Sequence, residues 1–264
     1  MKGSMPDYID VLAKDAMRSI KEGYYETTAK VAATPKSLKE AIITSGKGNP
    51  IISEIKFASP SKGTIRENSD LGKIAKDMEK GGSVGISILT EPKHFKGNVK
   101  FITQVRDQVD VPILMKDFIL SLEQIEFASR NGANTILLIQ ALFDRGYCEE
   151  NVQSMIEHTH SKGLETLLEV HTENEFLNAL KTDSDMIGIN NRDLKTLKVN
   201  LEVTKHILTK HGTEGRVIVS ESGINTSQDI RFLRNCGAQA FLVGTAIMKA
   251  GNIEEKVKEL VESL

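Results

Sequence analysis

Tryptophan is absent and cysteine almost so. The two thiols, Cys148 and Cys236, stand far apart with no Cys-x-x-Cys spacing and no histidine pattern beside them, which excludes a disulfide framework and gives no zinc signature. Both are expected as buried apolar side chains. No excess of basic charge exists: 34 Lys and Arg face 36 Asp and Glu, a formal charge of -2. Without a cationic field nothing holds a polyphosphate backbone, so nucleic acid is not an expected partner. The unbroken apolar stretches, such as 136–139 and 240–243, fall far short of the roughly 20 residues that cross a bilayer. The opening MKGSMPDYID has no continuous apolar segment of a secretory signal. A soluble cytoplasmic chain with no membrane partner is expected. Only 6 prolines occur and no low-complexity linker interrupts the 264 residues, of which 39% are hydrophobic. The chain therefore reads as one domain over 1–264 with its own core.

What is present is a repeat. Short runs rich in Ile, Leu and Val occur at 50–56, 85–90, 112–118, 135–140, 165–170, 186–190, 217–222 and 240–244. Their starts recur every ~27 residues, about one strand plus one helix. Between them apolar residues fall at helical spacing, as at Leu71, Ile74, Ala75 and Met78, and again at Ile125, Phe127 and Ala128. Strands that read as nearly continuous apolar runs belong to a parallel sheet covered by helices on both faces. Ser121 with Gln124, Thr172 with Glu175 and Thr226 with Asp229 supply helix starts, and Gly81, Gly132, Gly163 and Gly237 supply left-handed stops. Eight strand-helix units predict a closed α/β barrel, the (β/α)8 or TIM architecture. The rival, an open doubly wound sheet, usually carries GxGxxG after its first strand, and none is here. Residues 1–48 precede the barrel as a helical N-terminal extension. Ile9, Leu12, Ala13, Ala16, Met17 and Ile20 form a stripe over 7–22, and a second helix is expected over 38–43. An Asn252 cap opens a closing eighth helix.

In such a barrel chemistry sits at the carboxyl ends of the strands. There the sequence places Glu54 and Lys56, Lys116 and Asp117, Glu169, Asn190 with Asn191 and Arg192, and Glu221 with Ser222. Glu54 and Lys56 share one side by the two-residue period of a strand. One such residue alone would be a solvated strand end or a cap; five strands together indicate a site. Ser222-Gly223-Ile224 and Gly244-Thr245-Ala246 follow strands seven and eight, where small residues free backbone N–H groups for a phosphate. No Walker A motif occurs, so the phosphate belongs to a small metabolite. The histidines give no metal set: His158 and His160 face different ways on a helix, His206 and His211 lie in or just after another, and His171 follows Glu169 by two.

Taken in order, Ser53-Glu54-Ile55-Lys56, Ser59-Pro60-Ser61-Lys62-Gly63, Ser87-Ile88-Leu89-Thr90-Glu91, Met115-Lys116-Asp117-Phe118, Leu168-Glu169-Val170, Asn190-Asn191-Arg192-Asp193-Leu194 and Ser220-Glu221-Ser222-Gly223-Ile224 resemble the indole-3-glycerol-phosphate synthase family across essentially the whole chain. The resemblance implies closure of the indole ring of 1-(2-carboxyphenylamino)-1-deoxyribulose 5-phosphate with loss of carbon dioxide and water, a lyase step of tryptophan biosynthesis that uses no metal and no organic cofactor. It implies catalytic roles for Glu54, Lys56, Lys116, Glu169 and Asn190. It implies substrate contacts for Ser59, Arg192, Glu221 and Ser222, and phosphate contacts for Gly223, Gly244 and Thr245; Phe118, beside Lys116, is a further candidate for substrate contact. Thr245 replaces the usual Ser or Glu of the family, and a backbone N–H contact survives that change. Asn191 stands where some relatives carry Ser, a change expected to be neutral.

The residue chemistry fits that reaction. Ring attack on a ketone builds negative charge on its oxygen, which a positioned Lys116 ammonium can protonate. Lys56 and Arg192 can bind the substrate's carboxylate and phosphate. Two lysines in one pocket are expected to repel and to lower the pKa of at least one. Dehydration needs a proton acceptor and a donor, for which Glu54 or Glu169 with Lys56 or Lys116 are the candidates. Asn190 and Glu221 are expected to orient sugar hydroxyls or the amine. Phe118 either stacks on the aryl ring or packs, and 59–70 is expected as a lid. Phosphoribosylanthranilate isomerase, a Schiff-base aldolase and a non-catalytic metabolite-binding barrel are the alternatives. A monomer or weak homo-oligomer is expected.

Overall fold

The computed structural model describes residues 7–26, 31, 36–59, 63–66 and 70–263. Eight strands close a barrel in chain order: β1 Ile51–Ile55, β2 Gly85–Leu89, β3 Ile113–Lys116, β4 Thr135–Ile139, β5 Glu165–Val170, β6 Met186–Asn190, β7 Val217–Glu221 and β8 Ala240–Val243. Each is parallel to the next, and β8 returns to β1 with Ile51 opposite Phe241. All eight runs read from the sequence are strands of this sheet.

The two faces of each strand bury different cores. Ile52, Leu114, Leu137, Leu167, Val219 and Leu242 turn into the barrel, whereas Ile51, Ile86, Ile113, Ile136, Leu168 and Ile218 pack outward under the helices. Each such side chain contributes about 1.5–3 kcal/mol on burial, which is why both faces are apolar and the sequence shows no strict alternation.

The extension closes both ends. Helix α2, Leu38–Ile43, sits at the amino ends of the strands, where the Glu165 carboxylate accepts from Leu38 N at 2.7 Å and Lys39 N at 3.2 Å, and from Ser37 Oγ at 2.5 Å. Helix α1, Tyr8–Lys21, lies at the opposite mouth, with Ile9, Leu12, Ala13 and Ala16 buried in the cluster that holds Phe118, Ile139 and Leu142. Arg145 clasps Asp7 at 2.7 Å and Asp10 at 2.8 Å, and His94 reaches Asp15 at 2.9 Å.

Some local expectations need correction. Met17 is exposed, and Ser19 takes the buried place by donating to Asp15 O at 3.2 Å. Gly132, Gly163 and Gly237 have positive φ as expected, but Gly81 does not; the left-handed residue is Gly82 (φ 99°). Gly81 is needed for another reason, since a Cβ there would lie 2.6 Å from Val257 Cβ on the last helix, Ile253–Val261. Both cysteines are only half-buried, without a disulfide, and burial pushes the Cys148 thiol up to about 12. A two-stranded hairpin, Ala58–Ser59 with Gly63–Thr64, and the five-residue helices Gln140–Asp144 and Thr245–Lys249 were not evident from periodicity. Of the segment expected as a lid, 60–62 and 67–69 lie outside the described residues. Among the described residues no helix is long and apolar enough to cross a membrane.

Candidate active site

Strand register brings the polar residues into one ring. Glu54 lies beside Ser87, Lys116 beside Leu89, Glu169 beside Ile139, and Asn190 beside Glu221. Glu54, Lys116, Glu169 and Asn190 turn inward at the carboxyl ends, where they border a cavity of about 290 Å³. Glu54, Lys56, Ser59, Lys116, Phe118, Glu169, Asn190, Arg192, Ser222, Gly223, Gly244 and Thr245 line it. Glu221 does not. It is fully buried and is the nearest partner of Lys116.

Lys116 Nζ is the centre of the constellation, 2.5 Å from Glu221, 3.6 Å from Glu54 and 3.8 Å from Glu169. Lys56 donates to Glu54 Oε1 at 2.5 Å, and the Asn190 amide donates to Glu169 Oε1 at 2.9 Å. Two glycines make this packing possible. A Cβ on Gly188 would lie 2.1 Å from Glu221 Oε1, and one on Gly244 would lie 2.5 Å from Glu54 Oε1.

The expected lowering of a lysine pKa by its neighbour is not found at Lys116. Burial pulls its pKa down, but the carboxylates of Glu221, Glu54 and Glu169 outweigh that and hold it above the usual lysine range. Lys56 is drawn off to Glu54, so each ammonium meets carboxylate before it meets the other. Burial works against Glu54 too, yet Lys56 and Lys116 keep its carboxyl below the ordinary value. The most enclosed acid, Glu221, is pushed up to about 7, by burial first and by Glu169 and Glu54 after it, against the pull of Lys116. Its Oε1 has no hydrogen-bond partner among the described residues. Among those residues no three or more His, Cys, Asp or Glu are grouped to hold a metal ion; the three glutamates gather around an ammonium.

One rim is built of backbone. Ser222 (φ 66°) and Gly223 (φ 85°) turn through the left-handed region directly after β7, and Gly244 leads into the helix that starts at Thr245. Arg192 reaches across beside them, bonded through Nη1 to Leu197 O at 2.8 Å, and burial lowers its pKa against the pull of Glu54.

The facing wall is apolar, and much of it was not read from the sequence. Tyr8 and Leu12 of α1, Phe95 and Leu194 line the cavity with Phe118, while Leu197 and Val199 line it beside Arg192 and Gly223. Phe118 is both wall and packing, with its ring 6.2 Å from Phe95. Leu12 sits on the amphipathic stripe of α1, but periodicity does not distinguish a substrate wall from a core contact. Behind Lys116, the buried Asp117 accepts from Tyr25 at 3.0 Å, Thr90 at 2.5 Å and Phe118 N at 2.8 Å. Burial first, then Glu91, push it up to about 7 against those donors. His171 lies near the site as its spacing allows, with Nδ1 2.7 Å from Asn190 O; it lines a smaller side cavity that shares Glu169.

Comparison with known proteins agrees with this geometry. Residues 9–260 match the family model described as Indole-3-glycerol phosphate synthase. The indole-3-glycerol phosphate synthase of Methanocaldococcus jannaschii is 44% identical over 215 residues, covering 81% of this chain and 78% of that protein. That of Caldanaerobacter subterraneus subsp. tengcongensis is also 44% identical over 215 residues, covering 80% of each. Among solved structures, thiamine phosphate pyrophosphorylase from Pyrococcus furiosus superposes with a TM-score of 0.60 at 16% identity, covering 85% of this chain and 96% of the other. That likeness speaks for the barrel alone.

Proposed function

The chain belongs to the indole-3-glycerol phosphate synthase family, and from that membership we propose that it closes the indole ring of 1-(2-carboxyphenylamino)-1-deoxyribulose 5-phosphate, a carboxy-lyase reaction of tryptophan biosynthesis in the cytoplasm. The observation that carries this reading is the Lys116 ammonium, buried among Glu221, Glu54 and Glu169 at the cavity floor.

The substrate is an anion at both ends with an aryl ring between. Its phosphoryl group goes to the Ser222–Gly223 and Gly244–Thr245 backbone, with Lys56 and Arg192 as cations for phosphate and carboxylate. Its aryl ring lies against Phe118 and the apolar wall that Tyr8 and Leu12 complete, which makes the extension and the barrel one working unit. Ser59 closes the rim beside Lys56.

Ring closure forms a bond between the aryl carbon that bears the carboxylate and the ketone carbon, and the carbonyl electrons move to oxygen. Lys116 stabilises that charge and gives up a proton, because an alkoxide is more basic still. The ring is left as an iminium, an electron sink into which the carbon dioxide bond breaks. Water is lost last. Glu169, its carboxylate steered by Asn190, accepts a proton from the carbon beside nitrogen, and the Lys56 ammonium, since Lys116 has already given its proton to the alkoxide, protonates the departing hydroxyl. Glu54 keeps Lys56 in place and Glu221 keeps Lys116 in place, so the cations are pre-arranged before substrate arrives. One chain supplies every group, so a monomer or a weak homo-oligomer suffices.

The experiment is incubation of the protein with that substrate. Because the sequence holds no tryptophan, indole fluorescence reports product alone. One carbon dioxide released per indole formed is the expected result. Conversion of the substrate without carbon dioxide would overturn the reading in favour of an isomerase-type barrel.

A further inference from the structure

We propose that Asn191 is a positioning residue for the phosphoryl end of the site, an inference that rests on the reading of Ser222–Gly223 as part of the phosphate cradle. Asn191 is fully buried and does not line the cavity. Its side chain works on the far side of the strand ends. Nδ2 reaches Glu221 O at 2.9 Å, Ser220 Oγ at 3.0 Å and Ser222 O at 3.3 Å. Its Oδ1 accepts from Thr204 Oγ1 at 2.8 Å and from Thr204 N at 3.3 Å, and Thr204 Oγ1 lies 2.9 Å from Ser220 Oγ. Asn191, Thr204 and Ser220 thus form a closed buried network between the helix Glu202–His211 and the ends of β6 and β7.

Peptide planarity turns those contacts into a function. In a trans peptide the N–H points opposite to the C=O. When one amide draws back the carbonyls of Glu221 and Ser222, the N–H groups of Ser222 and Gly223 are turned the other way, toward the cavity that both residues line. Ser222 is not glycine, and its φ of 66° lies in the left-handed region that a side chain disfavours and that persists only where the surroundings impose it. The Asn191 amide is placed to impose it. Asn191 also anchors the loop after β6, accepting from Asn200 N at 2.9 Å, and Val199 of that loop packs where a Cβ on Gly223 would be, at 2.3 Å. On this proposal Ser would not serve equally at this position, because a serine hydroxyl has one hydrogen and lacks the reach to hold both carbonyls while accepting from Thr204.

The test compares Asn191→Ala, the milder Thr204→Val and the direct cradle change Gly223→Ala with the parent protein. The readouts are kcat, KM and competitive inhibition by inorganic phosphate, with circular dichroism to confirm folding. The proposal expects Asn191→Ala to raise KM and weaken phosphate inhibition each by about tenfold, the equivalent of 1.4 kcal/mol, with kcat within about threefold. Thr204→Val should move both in the same direction by less, and it serves as the test if Asn191→Ala does not fold. A fall in kcat or thermal midpoint with KM and phosphate inhibition unchanged would overturn the positioning role. If Gly223→Ala weakens phosphate inhibition and the Asn191 and Thr204 variants do not, the cradle stands and the inference fails. If none of the three does, the cradle reading falls and takes the inference with it.

Discussion

Gly188 faces the barrel interior on β6, and the account requires it to remain without a side chain. Gly188→Ala would place a methyl group 2.1 Å from Glu221 Oε1, 3.2 Å from its Cδ and 3.4 Å from Leu167 Cδ1. Ordinary contact demands that the carboxylate retreat by roughly 1 Å, and the barrel core is close-packed, so little else can give. The retreat pulls Glu221 off Lys116, now 2.5 Å away. Uncoupling a buried ion pair costs about 3–5 kcal/mol, and at roughly 2–4 °C per kcal/mol for a chain of this size the midpoint falls by about 6–20 °C. A displacement of that extent at the reacting centre lowers kcat by about a hundredfold. Calorimetry and the indole fluorescence assay measure the two effects. Adding Glu221→Asp, which shortens the acid by one methylene, should recover part of both, so the double variant is non-additive. A Gly188→Ala protein with parental midpoint and rate would refute the packing of Glu221 under Lys116.

Asp117 makes stability depend on pH. Its folded pKa near 7 stands above the ~3.9 of an unfolded aspartate. The folded state therefore keeps a proton that the unfolded chain loses, and this group's contribution, on the order of 4 kcal/mol, is full below about pH 4 and declines as pH rises through 7. Asp117→Asn should flatten that decline between about pH 4 and 7 in denaturant titrations; an unchanged slope would remove Asp117 as its source. Arg145→Ala frees the amino end of α1 from Asp7 and Asp10 and loosens the Tyr8–Leu12 wall. Because partly exposed ion pairs contribute little, KM should rise by less than about fivefold with kcat unchanged, and a loss of kcat instead would show that α1 acts on the chemistry itself.

The fold was legible because burial on both sheet faces left eight apolar runs at a steady interval, and Thr172, Thr226 and Asn252 marked helix starts that the capping contacts bear out. The polar ring was legible because charged residues are costly inside a barrel and rare there without a purpose. Its internal pairing was not. That Glu221 lies beneath Lys116 depends on the space left by Gly188, a contact between β6 and β7 that single-strand reading does not contain. The same holds for the lysine charge: two lysines close in sequence pattern suggest repulsion, whereas three-dimensional placement gives Lys116 three carboxylates. Phe95, Leu194 and Val199 were missed because they lie in loops, where no periodicity marks which apolar residue faces a substrate. Asn191 was read as replaceable because the carbonyls it meets belong to the end of the neighbouring strand.

Lys116 carries the central claim, and replacing its ammonium by an apolar chain of similar length tests it most directly. Lys116→Met is expected to keep the barrel's circular dichroism and to lower kcat by at least about a thousandfold, within the range spanned by loss of a general acid together with an electrostatic partner. A Lys116→Met protein that still forms indole from the carboxyphenylamino substrate at near the parental rate would contradict the account.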